Sequence, residues 1–185
     1  EGDIEKLMKE PINNLITNEL EGERDIAILE MLYATGLRLS ELLNINICDI
    51  DKNKEMVKVM GKGGKERIVP IGKIALNWID NYLRKLGKSV KPNFNDPLFV
   101  SKKGKRLSKR TIQRRIKKYL ASTMGGGTVH TLRHTFATHL MDNGADILTV
   151  KDLLGHSSLS STQNYTRLNP ETIKKIYREK HPHGE

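Results

Sequence analysis

One cysteine, Cys48, among 185 residues leaves no partner for an internal disulfide and excludes a multi-cysteine zinc cage. No apolar run approaches the roughly 20 residues that a membrane-spanning helix needs, and no charged-then-apolar leader opens the chain. Acidic residues are missing from positions 102–118, KKGKRLSKRTIQRRIKK, although ten of those seventeen side chains are basic. The same stretch holds no aromatic ring, which argues against a platform for stacking single-stranded bases. These absences point to a soluble, cytoplasmic protein. The length suits one domain with a real core, and the start at Glu1 instead of Met reads as a fragment or a processed form.

What is present is positive charge, unevenly spread. Residues 1–50 carry 4 basic and 11 acidic side chains, residues 51–128 carry 21 and 5, and residues 129–185 carry 7 and 6. A charge run is often only a solvated helix face. The size of this asymmetry instead favours a surface that meets phosphates, with duplex DNA backbone the best match. The candidate contacts are Lys65, Arg67, Lys102, Lys103, Lys105, Arg106, Lys109, Arg110, Arg114 and Arg115.

Periodicity predicts a mostly α domain with a small antiparallel β-sheet. RDIAILEMLYATG sets Ile26, Leu29, Leu32 and Tyr33 on one helical stripe ended by Gly36, and a short helix follows at Ser40–Leu43. EMVKVM and ERIVPI read as strands joined by the glycine-rich GKGGK turn. A helix over 73–86 ends at Gly87, and LFVSKKGKRL reads as another hairpin. Ser108 caps a basic helix, and GGG at 125–127 separates it from HTLRHTFATHLMDNG, a helix stopped at Gly144. Short helices are expected over 146–154 and about 158–165. A last amphipathic helix starts at Pro170, with Ile173, Ile176 and Tyr177 on its apolar face.

The chemistry-bearing residues point to phosphate. His130 and Arg133 share a face near a helix N-terminus, where unpaired N–H groups favour anions. His130, His134 and His139 also have a spacing that could hold a metal. Thr131, however, stands where a zinc protease has its general-base glutamate, and a structural role suits His134 and His139. Arg38 and Glu41 are three apart and can pair, an arrangement equally at home in a structural ion pair. Lys62 and Lys65 occupy a hairpin tip, either as a solvated turn or as a mobile proton donor. Tyr165, nine residues after His156, sits among Ser, Thr, Gln and Asn rather than in an apolar pattern. A phenol with a pKa near ~10 needs cationic help to attack phosphorus. No acidic cluster to hold Mg²⁺ accompanies these groups, so the expected chemistry is phosphoryl transfer to tyrosine without metal or other cofactor.

Taken together, ATGLRLSEL, GKGGKERIVPIG, HTLRHTFATHL, LLGHSSLSSTQNYTR and the tail ending KHP resemble the tyrosine recombinases of the phage-integrase type, most closely the Xer group. The resemblance implies the catalytic-domain fold over residues 1–185, without the separate N-terminal core-binding domain. It implies that Arg38, Arg133 and His156 hold the scissile phosphate and that Glu41 supports the site. Lys62 would protonate the leaving 5′-hydroxyl, His130 would assist proton removal, and Tyr165 would be the nucleophile. Val129 stands where relatives usually carry proline. The implied partners are double-stranded DNA and further protomers, four in the synaptic complex, with the 170–185 tail exchanged between them. A type IB topoisomerase and a silent DNA-binding module are the competing readings.

Overall fold

The computed structural model describes residues 2–13, 19–61, 64–87, 93–155 and 169–184. Helices α1 (Gly2–Asn13), α2 (Glu19–Thr35) and α3 (Leu39–Asn44) lead through a 3₁₀ turn at Ile47–Asp49 into strand β1 (Ile50–Asp51). Strands β2 (Met56–Met60) and β3 (Glu66–Pro70) follow, and then α4 (Lys73–Gly87), α5 (Lys109–Met124), α6 (Val129–Asp142), α7 (Ile147–Leu154) and α8 (Pro170–Lys180). This is the expected α+β class.

Helix α2 runs through the middle, packed by α1, α4 and α6. Its apolar stripe suggests a surface helix with one buried face, yet residues 22–35 are buried all round. The charged residues on its other faces, Glu23, Arg24, Asp25 and Glu30, enter the interior with it. Burial of this kind is tolerable only where each charge has a partner. Asp25 accepts from Arg24, Arg115 and the Tyr119 hydroxyl, and Lys85 bonds Glu23 and Glu19.

The sheet is antiparallel in the order β1-β2-β3, with Val57 opposite Val69 and Val59 opposite Arg67. Alternation sends Val57, Val59 and Val69 inward and leaves Lys58, Met60 and Ile68 exposed. The expected hairpin at LFVSKKGKRL is present in a minimal form, one antiparallel bridge from Val100 to Arg106 flanked by bonds from the Leu107 amide to the Phe99 carbonyl at 3.1 Å and from the Ser101 amide to the Lys105 carbonyl at 2.7 Å. Leu98, Phe99 and Val100 are all buried in succession, so no face is left to alternate. Arg106 donates to the Leu43 and Ile45 carbonyls at 2.6 and 3.1 Å, which ties the loop to the end of α3.

Ser108 caps α5 by accepting from the Thr111 amide at 3.2 Å. All three glycines at 125–127 have positive φ (71°, 132° and 138°), backbone that other residues enter only with strain. They turn the chain so that α6 starts at Val129, capped reciprocally by Thr128 and Thr131. The expected helix near 158–165 lies outside the described residues.

Helix α8 packs onto its own chain. Tyr177 is fully buried, and Lys174 and Arg178 both pair with Glu55. Beyond the helix, the His181 ring stacks on Tyr177 at 4.9 Å between centroids, and His183 Nδ1 lies 3.0 Å from Glu30. Tyr33, Phe136 and His183 complete the rings around His181.

Candidate active site

The end of α2 sets the geometry. Gly36 adopts φ +60°, and a Cβ there would lie 2.5 Å from the Phe136 ring, so α2 and α6 approach closely only around a glycine. The chain then turns into α3, with Arg38 at its N-cap and Glu41 three residues on. The Glu41 carboxylate reaches back to the Arg38 amide at 2.8 Å and to its guanidinium at 3.3 Å.

Arg133, one turn into α6, donates to the Gly36 carbonyl at 2.5 Å and to the Leu154 carbonyl at 2.7 Å. Both acceptors lie at helix C-termini, where the backbone's partial negative charge suits a cation. These bonds bind the LRH segment to the ends of α2 and α7. Arg67 enters from β3 and grips Glu41 with both terminal nitrogens, at 2.8 and 2.9 Å. Gly155, in the left-handed region at the end of α7, lies against this guanidinium; a Cβ there would be 2.9 Å from Arg67 Cζ.

Arg38 and Arg67 thus meet on the Glu41 carboxylate, and Arg133 lies within electrostatic reach of all three. Burial lowers the Arg133 pKa to about 10, with the positive charges of Arg38 and Arg67 adding to the effect and Glu41 opposing it. Burial alone would raise the Glu41 pKa, but hydrogen bonds from Arg67 and the Arg38 amide, with both cations' charges, bring it below the ordinary carboxylate value. Among the described residues the three guanidinium groups outnumber this one carboxylate, an arrangement that a phosphate would stabilise. His130 stands exposed in the first turn of α6, its amide bonded to the Thr128 hydroxyl at 3.3 Å. Lys62, His156 and Tyr165 lie outside the described residues. The turn glycine just before His156 is nevertheless in place beside Arg67.

Of His134 and His139, for which the sequence suggests a structural role, only His139 is shown in an internal contact. His139 Nδ1 lies 2.8 Å from the Tyr33 hydroxyl, and His134 is exposed. Among the described residues, no three His, Cys, Asp or Glu side chains gather as a metal-ligand set.

The basic surface separates into exposed and internally paired members. Lys102, Lys103, Lys105, Lys109, Arg110 and Arg114 are exposed, as is Lys65 at the described edge of the β2–β3 turn. Arg115 shares the inner face of α5 with Ile112 and Tyr119 and bonds Asp25 and Glu21. Arg106 is spent on carbonyls and on Asn46. The sequence grouped Arg67 with these surface cations. Its neighbour Ile68 points outward and Val69 inward, so strand alternation places Arg67 on the inner face. That signal was present in ERIVP.

The chain matches the model of the phage integrase family over residues 1–172. It is 41% identical over 169 residues to tyrosine recombinase XerC of Chlamydia muridarum, covering 90% of this chain and 54% of that protein. Tyrosine recombinase XerD of Staphylococcus saprophyticus is 43% identical over 167 residues, covering 89% of this chain and 57% of that protein. The chain therefore spans about half the length of these curated relatives. A solved structure of the XerH site-specific recombinase, bound to its difH substrate before cleavage, superposes with a TM-score of 0.71 at 25% identity, covering 94% of this chain and 47% of that one. On its sequence, its fold and the motifs that meet around Glu41, the chain belongs to the phage integrase family of tyrosine recombinases.

Proposed function

We propose that this chain is the catalytic domain of a site-specific recombinase that cuts and rejoins double-stranded DNA through a 3′-phosphotyrosyl bond. In this reading the Tyr165 hydroxyl oxygen attacks the scissile phosphorus, its proton passing towards His130. The bond from phosphorus to the 5′-oxygen breaks, and Lys62 supplies the proton to that oxygen. Arg38, Arg133 and His156 hold the non-bridging oxygens as charge builds on them. Rejoining is the reverse displacement by another strand's 5′-hydroxyl. The phosphodiester energy is conserved, and neither ATP nor a metal ion is required.

The observation that carries the reading is the bonding of Arg38 and Arg67 to the Glu41 carboxylate with Arg133 within electrostatic reach of it. Such a gathering of guanidinium groups would suit a phosphate. Exposed Lys102, Lys103, Lys105, Lys109, Arg110 and Arg114 would carry the flanking duplex, and the XerH relative was solved bound to its difH substrate. No helix among the described residues is long and apolar enough to cross a membrane, which is compatible with cytoplasmic action on DNA. Protomers would assemble on DNA as a tetramer, with the 170–185 tail leaving its own chain for a neighbour.

A nicked suicide substrate tests the chemistry. The unsubstituted chain forms a covalent DNA adduct, and Tyr165→Phe forms none while still binding duplex. An adduct that persists in Tyr165→Phe would overturn the assignment of the nucleophile.

A further inference from the structure

Glu41 serves two guanidinium groups and divides itself between them unequally. Arg67 takes both oxygens at 2.8 and 2.9 Å. The Arg38 guanidinium reaches only Oε1, at 3.3 Å, while the Arg38 amide takes Oε2 at 2.8 Å. A carboxylate offers about four acceptor positions, so three short bonds leave little attraction for the Arg38 side chain. That side chain is also the outermost of the three, 38% exposed against 18% for Arg67 and 4% for Glu41.

We propose that Arg67 is a positioning residue: by taking both oxygens of Glu41, it limits the Arg38 guanidinium to one longer bond and leaves it open to the scissile phosphate. The inference rests on the recombinase reading and gives Arg67 a place inside the site instead of a contact to DNA backbone. Without Arg67, the guanidinium bonded to buried Glu41 would be that of Arg38, while Arg133 is held on the Gly36 and Leu154 carbonyls. An unpaired buried carboxylate is costly, so Arg38 would close onto it with both nitrogens. The phosphate would then compete with Glu41 for Arg38.

The geometry suits a guanidinium and no other cation. Two parallel N–H bonds need a planar fork, whereas a lysine ammonium is a point charge that secures one oxygen well. Gly155 confines the fork from its other side, since any side chain there would strike Cζ. The β3 register completes the arrangement: Arg67 lies opposite buried Val59 and on the same face as buried Val69.

Three variants test this on the same suicide substrate, with adduct formation timed at saturating DNA and duplex affinity measured separately by anisotropy. Arg67→Met slows cleavage by roughly 10²-fold, while duplex affinity stays within about threefold, because the exposed lysines and arginines carry it. Adding Glu41→Gln to Arg67→Met restores cleavage by roughly tenfold, since a neutral amide does not hold Arg38. Arg67→Lys is intermediate between the two. Cleavage is expressed per folded molecule, with the folded fraction read by circular dichroism, because neutralising Glu41 also relieves the cost of burying it unpaired. On that scale a double variant no faster than Arg67→Met overturns the proposal, since a missing phosphate ligand is not repaired by a second substitution. Parent-like cleavage in Arg67→Lys also overturns it, since lysine would serve a direct phosphate contact. An unsubstituted chain that forms no adduct removes the recombinase reading itself, and this inference with it.

Discussion

Two carboxylates in this molecule each sit between two arginines, and their surroundings differ in what is left over. Asp25 receives Arg24, Arg115 and the Tyr119 hydroxyl. Glu21 sits beside the same arginines as a second acid. The network anchors α5 to α2, and the hydroxyl of Tyr119, pushed well above the ordinary phenol range by burial and by Asp25, remains a donor. Glu41 receives Arg38 and Arg67 with Arg133 close by. In one network two carboxylates hold the cations that join α5 to α2. In the other, one carboxylate has three guanidinium groups around it, and that of Arg38 is partly exposed. The same residue types therefore make a structural rivet in one place and an anion site in the other.

The largest effect expected is at the Asp25 network. Asp25→Ala leaves Arg24 and Arg115 inside the protein without their carboxylate, and removing one partner of a buried pair costs about 3–5 kcal/mol. Urea unfolding should register that loss, while cleavage per folded molecule is unchanged. Arg38→Ala, at the Glu41 site, reverses the pattern: cleavage falls by roughly 10²–10³-fold with little change in the unfolding midpoint. Equal stability losses in the two variants would erase the distinction.

A buried group whose neighbours repel its charge sharpens the comparison. His181 is held down to about 3 by burial, with His183 and His139 adding to the effect. Tyr33, Tyr177 and Phe136 pack against its ring, and Glu30 is bonded to His183. Its pKa is depressed on folding, so the unfolded chain takes up the proton first, near 6.5. The docked tail is fully stabilised above that pH and loses stability as pH falls towards 3. At pH 5 the loss is about 2 kcal/mol relative to pH 7. His181→Phe keeps the ring stack and should remove that part of the pH dependence in urea unfolding.

The smallest effects separate surface cations from internal ones. Replacing Lys109, Arg110 and Arg114 with glutamine should flatten the salt dependence of duplex binding, by about 0.9 in log–log slope for each phosphate no longer neutralised. Arg115→Gln should leave the slope unchanged and lower stability instead. A slope change in Arg115→Gln would place its guanidinium on DNA.

Much of the fold was legible because its signals are local. Ser108, Gly36 and Pro170 mark helix ends through their own backbone chemistry, and alternation in EMVKVM and ERIVPI marks the strands. The motifs around Arg38, His130 and Arg133 were legible in the same way. The hairpin at 98–107 was legible as well, but its arms stay short: Leu98, Phe99 and Val100 are buried in succession, and Arg106 is drawn to the carbonyls at the end of α3.

By itself the sequence determined the element order, the excess of positive charge and the set of residues competent for phosphate chemistry. All of these follow from composition and short-range spacing. Only the tertiary structure decided which cations remain available. Arg67 finds Glu41 across 26 positions, Arg106 finds Ile45 across 61, and Arg115 finds Asp25 across 90. Periodicity can say which face of a helix or strand a charge occupies. Which opposite charge meets it is set by packing between elements far apart in the chain, where the cost of burying an unpaired ion selects the pairs.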